Sequence, residues 1–325
     1  MKNVIIIVLL FITTKGMKAC DICGCQLGGL YFGLLANSNA HYIGVRYTKA
    51  HFNASIDYGE DSLLPNEFSD DTFHRGELLG RYIISDRFQL HAIVPYMYND
   101  MNGSEQVLTF QGFGDPSLLL YFNPLQKKKE TSLKLAVPEY KNISHSLRVG
   151  GGIKLPVGKF DRFDEGEIVN RNFQVGTGSV DFLITANYSL AIKKWGVNVE
   201  SSYKINTENK DRYRFGNQFN ASSYLFYAQP LVNALVTPYS GIFYETGEMH
   251  RDGMIKQVNT GGNATHFTAG IQINWNSITL NSFYQTPIQQ NYNSDAISTI
   301  DSGDRWSLGL LYNFKKREKP TIQIQ

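Results

Sequence analysis

Long apolar runs, proline and an excess of charge of one sign are all scarce in this sequence. The longest apolar run, residues 4–12, has nine residues, whereas a membrane-spanning helix needs about 20, so helical insertion into a bilayer is excluded. Lys and Arg number 31 against 29 Asp and Glu, a net charge of +2 that gives no electrostatic basis for nucleic-acid binding. Only 10 residues are Pro, while 29 Gly, 19 Tyr and 20 Phe suit aromatic-rich strands joined by turns.

The first 19 residues have the pattern of a secretory signal peptide. Lys2 precedes the apolar run, and small or polar residues lead from that run to Ala19. Cleavage after Ala19 would make Cys20 the first residue of the mature chain, although Met17 and Lys18 make a poor cleavage site. We therefore expect export, with a mature chain that starts within a few residues of Cys20.

Alternation of apolar and polar residues is the main structural signal in the rest of the chain. It is clearest near the C-terminus, where one side of a strand would carry Trp306, Leu308, Leu310, Tyr312 and Phe314 and the other Arg305, Ser307, Gly309 and Asn313. Successive side chains of a strand face opposite sides, so this period of two predicts a strand with one apolar face. The same period recurs in residues 180–192, 195–206 and 266–275.

About twelve such segments follow one another, and tight links alternate with long polar ones. We place them at residues 41–52, 71–85, 88–99, 113–122, 146–156, 179–192, 195–206, 215–227, 231–244, 265–275, 277–288 and 305–315. Alternating short turns and long loops are typical of outer-membrane barrels, where the turns are periplasmic. A soluble β-sandwich or a lipocalin-like barrel would also alternate apolar and polar residues. Residues 123–145 fit poorly, because they are too long for a short turn.

The prediction is thus an all-β chain that forms a transmembrane antiparallel up-and-down β-barrel of about 12 strands, with both termini periplasmic. The chain divides into a signal peptide (1–19), a cysteine-containing segment that acts as a plug or lies at the periplasmic mouth (20–40), the barrel (41–315) and a C-terminal tail (316–325). Outer-membrane lipid of a Gram-negative cell would contact its apolar face.

Several short motifs resemble one family of outer-membrane barrels. They are Gly114-Asp115-Pro116-Ser117, the stretch from Gly152 to Asp161, the stretch from Gly176 to Phe182, and Ser302-Gly303-Asp304-Arg305. Together these stretches resemble the transporter family that includes the barrel proteins of meta-cleavage phenol degradation operons, over about residues 41–315. The resemblance implies a channel for small solutes, hydrophobic compounds among them. It leaves the cysteine segment unexplained.

The polar side of each strand would face the hollow interior of such a barrel. The charged residues and one histidine on that side are Arg46, Arg75, Glu77, Arg81, His91, Arg148, Lys154, Asp181, Glu200, Lys204 and Arg305. Cations outnumber carboxylates in this set, which would favour anions or acidic solutes. The alternative is that Arg and Glu side chains on opposed strands pair and help to fill the interior.

All three cysteines, Cys20, Cys23 and Cys25, lie within six residues. In an oxidising compartment Cys20 and Cys23 could form a disulfide or redox pair, which would leave Cys25 unpaired. Three thiolates could instead bind one soft cation, Cu(I) first and Zn(II) next. A third alternative is a lipid on Cys20. Covalent haem is disfavoured, because Gly24 stands where the C-x-x-C-H motif requires histidine.

No pattern of residues predicts an enzyme. Residues 152–159 resemble a phosphate-binding loop only superficially, because Ile153 and Phe160 occupy positions where that motif needs Gly and Ser or Thr. G-x-S-x-G, H-E-x-x-H and paired-carboxylate patterns do not emerge. Two functions therefore stay open: a small-solute channel, and a metal-binding or redox-responsive barrel that uses the cysteines, which could also contact a periplasmic partner.

Overall fold

The computed structural model describes residues 40–104, 107–125, 143–164, 167–168 and 170–314. These residues form nineteen strands and no helix. Within them, accordingly, no helix has the length and apolar character needed to cross a membrane. The strands are β1 His41–Ile56, β2 Glu67–Ile83, β3 Phe88–Gly103, β4 Val107–Phe113, β5 Ser117–Phe122, β6 Ile143–Lys154, β7 Phe163–Asp164, β8 Glu167–Ile168, β9 Asp181–Ile192, β10 Trp195–Ile205, β11 Tyr213–Arg214, β12 Gln218–Tyr227, β13 Gln229–Pro230, β14 Ala234–Gly247, β15 Arg251–Asp252, β16 Ile255–Lys256, β17 Gly262–Trp275, β18 Ile278–Tyr292 and β19 Ser298–Phe314.

The long strands form a single closed antiparallel sheet. Each pairs with its neighbours along the chain, and β1 pairs with β19 in a register that sets Val45 against Leu310. Strands β4 and β5 both pair with β3, on either side of a short interruption, and act as one strand of the wall. The wall therefore has twelve strands, β1, β2, β3, β4 with β5, β6, β9, β10, β12, β14, β17, β18 and β19. The predicted up-and-down barrel is confirmed.

The two ends of the barrel differ. At the end that carries residues 40 and 314, which we call the terminal end, the links include two-residue turns at Lys193-Lys194 and Asn276-Ser277. Lys193 and Asn276 have φ values of 55° and 52°, the left-handed conformation that suits the twist of hairpin turns. At the opposite end, the loop end, lie the long connections 155–180, 206–217 and 248–261.

Several strands extend further toward the loop end than the alternation predicts. Strand β2 begins at Glu67 rather than residue 71, β18 ends at Tyr292 rather than residue 288, and β19 begins at Ser298 rather than residue 305. In these extensions the outward face is mostly polar; for example, the exposed Asn53 pairs with Asp70 and Asp301. The backbone ladder thus continues where the hydrophobic pattern has ended, so the connecting loops are shorter than predicted.

The apolar faces of the strands point outward. Val45 is 55% exposed and Leu310 49%, whereas Ser307, which points inward from the same strand as Leu310, is 1% exposed. A soluble sandwich or lipocalin-like barrel buries its apolar side chains, so the outward position of this belt argues against both alternatives.

Aromatic residues mark both edges of the apolar belt. Tyr312, Phe314 and Trp195 lie near the terminal end, and Tyr98 and Trp306 lie nearer the loop end; all are exposed on the outer surface. Trp306 and Phe314 are eight residues apart on β19, about 20 Å along the barrel axis for a tilted strand that rises about 3.3 Å per residue. That height approaches the band of about 25 Å seen in membrane barrels.

Candidate functional site

The interior of the barrel contains every side chain that the sequence places there. Eight of them are buried, Glu77, Arg81, His91, Arg148, Lys154, Asp181, Glu200 and Arg305, and three are partly buried, Arg46, Arg75 and Lys204. They lie on the same face of each strand as small polar residues such as Ser307, opposite the outward belt. The interior is therefore lined with charge, and the arrangement of that charge defines the candidate site.

Glu77 forms the first ion-paired group of the interior. Arg46 is its register partner on β1, and Arg46 Nε lies 2.5 Å from Glu77 Oε2. Arg75 Nη2 lies 2.9 Å from the other carboxylate oxygen, Oε1. One buried carboxylate thus holds two guanidinium groups on the inner wall, as the pairing alternative predicts.

A second pair spans the interior between non-adjacent strands. Arg305 on β19 donates to both oxygens of Glu245 on β14, at 2.9 and 2.5 Å. Tyr292 donates to Glu245 at 3.4 Å, and the Arg305 guanidinium lies 5.5 Å from the centre of the Phe52 ring. Glu245 is absent from the sequence prediction, because the predicted strand ended at residue 244.

A third group ties loop 155–180 to the wall. Asp115, in the interruption between β4 and β5, accepts hydrogen bonds from the backbone amides of Gly158 and Thr177, each at 2.9 Å. Lys154 Nζ lies 2.8 Å from Asp115 Oδ2 and 2.8 Å from Asp181 Oδ2, and it also contacts the Thr177 hydroxyl. Asp115 is absent from the interior residues that the sequence predicts, although it belongs to one of the motifs that carry the family resemblance.

The second half of loop 155–180, at residues 172–176, folds into the barrel rather than away from it. Phe173 is fully buried, stacks on the inward Phe73 ring at 5.2 Å, and its carbonyl accepts a hydrogen bond from Asn99 at 3.1 Å. The loop is doubled back tightly: a Cβ on Gly176 would lie 2.2 Å from the Gly158 carbonyl oxygen, so no larger residue fits there. The infolded loop narrows the loop end.

The aromatic cluster around Phe173 is one of three apolar clusters that the described residues form inside the barrel. Its buried members come from five strands of the wall and from the loop, and they are Ala50, Phe52, Ala54, Phe73, Met101, Phe110, Phe173, Val175 and Ile300. The sequence contained a partial signal for it, because Phe52 and Phe73 fall on the polar parity of their strands. Aromatic residues at such positions indicate something apolar to pack against inside the barrel.

Nearer the terminal end the interior has a different character. The Arg81 guanidinium lies 4.6 Å from the centre of the Tyr42 ring and donates to the Ala40 carbonyl at 3.0 Å. His91 packs against Tyr121 with ring centres 4.6 Å apart. Arg148 donates to Asn187 at 2.7 Å. Cations here are held by rings and amides as well as by carboxylates.

The interior holds more carboxylates than the sequence predicts, which changes its charge balance. The seven predicted cations lie inside, but three further buried carboxylates, Asp71, Asp115 and Glu245, join the three predicted ones. In the described residues, six carboxylates thus accompany the seven predicted cations, and Arg171 of loop 155–180 and Glu67 of β2 add one partly buried charge of each sign. The predicted cationic surplus nearly disappears for the interior as a whole, so any selectivity must arise locally.

A small sheet, β11 with β15 and β16, covers part of the loop end. Beneath it, burial and the nearby Lys204 ammonium lower the pKa of His250 to about 3. The neutral imidazole can then accept a hydrogen bond at Nδ1 from the Tyr213 hydroxyl, 2.9 Å away. The sheet is thereby fixed to the loops over the interior.

Two sequence predictions fall outside the described residues. Cys20, Cys23 and Cys25 lie there, as does most of the poorly fitting stretch 123–145. In the part of the chain that is described, no group of three or more His, Cys, Asp or Glu side chains could hold a metal ion.

Comparison with known proteins bears on the fold alone. Neither a model of a protein family nor any curated protein matches this chain. The crystal structure of an outer membrane channel from Pseudomonas putida F1 superposes with a TM-score of 0.58 at 16% identity, over 88% of this chain and 98% of that one. The β domain of the Bordetella autotransporter BrkA superposes with a TM-score of 0.45 at 11% identity, over 85% of this chain and 100% of that one. The CymD monoaromatic hydrocarbon channel superposes with a TM-score of 0.39 at 8% identity, over 86% of this chain and 90% of that one. The chain thus has the twelve-stranded barrel fold that is also found in an outer membrane channel.

Proposed function

We propose that this protein is a channel for small solutes in the outer membrane of a Gram-negative cell, exported by its signal peptide and without enzymatic activity. The observation that carries the proposal is the inverted distribution of polarity: an exposed apolar belt encloses a charged interior. Lipid is the environment in which such a belt is stable, since a contiguous apolar surface of this size in water drives association. Both termini would then be periplasmic.

The infolded loop supports small rather than large cargo. Phe173 and its neighbours pack across one side of the interior, so a solute must pass beside them or displace them. The apolar cluster next to charged walls would suit compact solutes with an apolar part. Hydrophobic compounds, which the family resemblance also implies, belong to that class.

Ion conduction tests the proposed function. The full-length mature protein, purified in detergent and added to a planar bilayer, should give discrete current steps, because a charged interior supports a water-filled path. A preparation denatured by boiling is the matched control and should give none. Recovery of the mature protein from the periplasm without detergent, or repeated insertion without current, would contradict the channel.

A second candidate function rests on the three thiols within six residues. We propose that segment 20–40 lies at the periplasmic mouth or acts as a plug, where Cys20, Cys23 and Cys25 would bind Cu(I) or Zn(II) or respond to redox conditions through a disulfide, and could contact a periplasmic partner. Three soft ligands so close together favour a soft cation.

Metal analysis with thiol counting, on protein extracted natively from membranes, tests the cysteines. Metal binding predicts one Cu(I) or Zn(II) per chain, and this metal should be lost when all three cysteines are changed to serine. The bilayer conductance of that triple variant should stay within about twofold of the parent value, because the barrel wall is unchanged. One free thiol per chain and no metal would favour the disulfide. Three free thiols without metal would reject both forms of this candidate.

A further inference from the structure

A cavity lies inside the barrel, beneath the infolded loop. Its volume is about 110 Å³. Loop residues 171–172 and 174–177 form one side, and β2, β3, β6 and β10 contribute to the opposite wall. An engineered apolar cavity of about 150 Å³ takes up benzene, so this cavity, which is also open on one side, is of the size that fits a ring or a short branched chain.

The lining is rich in positive charge. Four of its side chains, Arg75, Lys154, Arg171 and Lys204, are cationic, and only Asp115 among the described lining residues is anionic. They come from β2, β6, loop 155–180 and β10, so the charges converge from separate elements. In an enclosed space of low effective dielectric, cations arranged in this way favour an anion.

The ion pairs of these cations do not cancel that preference at the cavity. Glu77 pairs with Arg75 at 2.9 Å, Asp211 with Arg171 at 3.2 Å and Asp181 with Lys154 at 2.8 Å, yet none of these three carboxylates is part of the lining. Asp115, which does line the cavity, directs its oxygens at Lys154 and at the Gly158 and Thr177 amides. The cavity therefore meets the cationic side of these pairs.

The remaining lining is apolar. Met97 and Leu183 project from the wall, Val175 comes from the loop, and Phe215 comes from the segment that follows β11. A ligand that satisfies both parts of the lining needs one anionic group and a compact apolar body. Inorganic anions would leave the apolar part unfilled, and neutral hydrocarbons would gain nothing from the cationic part.

We infer that this cavity is a binding site for small organic monocarboxylates whose apolar body is no larger than a benzene ring. The inference rests on the proposed channel function, to which it adds a solute class, since a binding site on the path of a channel raises the local concentration of the solute that it selects. Lys204 is the most accessible test of it, because its side chain is only partly buried, whereas Lys154 is buried and bridges Asp115 and Asp181.

Equilibrium dialysis of the full-length protein in detergent, with benzoate and its neutral isostere benzamide as probes, tests the site. Benzoate should bind about tenfold more tightly than benzamide, because only the carboxylate gains from the cationic lining. Lys204→Gln should reduce that preference to about threefold or less, and Lys204→Arg should keep most of it because the charge remains. Lys256→Gln removes an exposed lysine far along the chain from the lining and should change nothing.

The results separate this inference from the channel itself. Equal binding of benzoate and benzamide, or a preference that survives Lys204→Gln, would overturn the carboxylate site. Displacement of benzoate by inorganic phosphate at equal concentration would show that the apolar lining does not contribute to binding. Bilayer conductance of the same preparations shows folding of each variant, and a protein that conducts without preferring benzoate keeps the channel and loses the site.

Discussion

A barrel that carries Asp115→Ala should conduct about three times or more the current of the parent protein, because pore area controls conductance in barrels of this size. The substitution removes the acceptor of the Gly158 and Thr177 amides and one of two carboxylates around Lys154. Hydrogen bonds to a charged group contribute about 1.5–3 kcal/mol each. Their loss should let loop 155–180 leave the interior and widen the loop end, and single-channel recording in planar bilayers measures the change.

Two variants serve as controls for this expectation. Asp115→Asn keeps the shape of the side chain and should give an intermediate conductance. Asp252→Ala removes an exposed carboxylate from the small covering sheet and should leave the conductance unchanged. An Asp115→Ala channel with the parent conductance would show that the loop is held by its apolar contacts around Phe173 rather than by Asp115.

Glu245→Ala should lower the free energy of unfolding by about 3–5 kcal/mol, the cost of leaving one member of a buried ion pair without its partner. The Arg305 side chain is 4% exposed and that of Glu245 is 0%, so solvent cannot replace the lost carboxylate. Urea titration of the protein in lipid vesicles, followed by tryptophan fluorescence, measures the shift. The double variant Glu245→Ala with Arg305→Met should recover most of the loss, because it removes the stranded charge.

Glu248→Ala is the matched control, since the Glu248 side chain is 55% exposed and its carboxylate lies 3.9 Å from Arg214. An exposed pair of this kind contributes about 0–1 kcal/mol. If Glu245→Ala unfolds at the same urea concentration as Glu248→Ala, the Arg305–Glu245 pair does not stabilise the barrel, and Arg305 must be held by other contacts.

The barrel wall could be predicted because its signal is local. The alternation over residues 305–314 assigns each side chain to a face without knowledge of any other strand, and the structure confirms that assignment on β19. Strand ends were less predictable: once the outward face becomes polar, as at Asn53 and Asp301, pairing continues after the apolar belt has ended.

The contents of the interior depended on contacts between distant parts of the chain. Nothing local distinguishes Phe173 from a residue of an external loop, and its burial follows from Phe73 and Asn99, which are about a hundred and about seventy residues away along the chain. Glu245 was missed because it lies one residue beyond the predicted end of its strand. Pairing partners inside a barrel follow from strand register, which sequence alone leaves open.

The outward-facing belt also constrains how the chain matures. Side chains such as Val45, Leu308 and Leu310 acquire a suitable environment only in lipid, and the backbone groups at the edges of β1 and β19 are satisfied only when those two strands meet. Sheet closure and entry into the bilayer should therefore be a single coupled event. Before that event the polypeptide would need a holdase chaperone, because its exposed apolar side chains and unpaired strand edges would otherwise cause aggregation in the aqueous compartment.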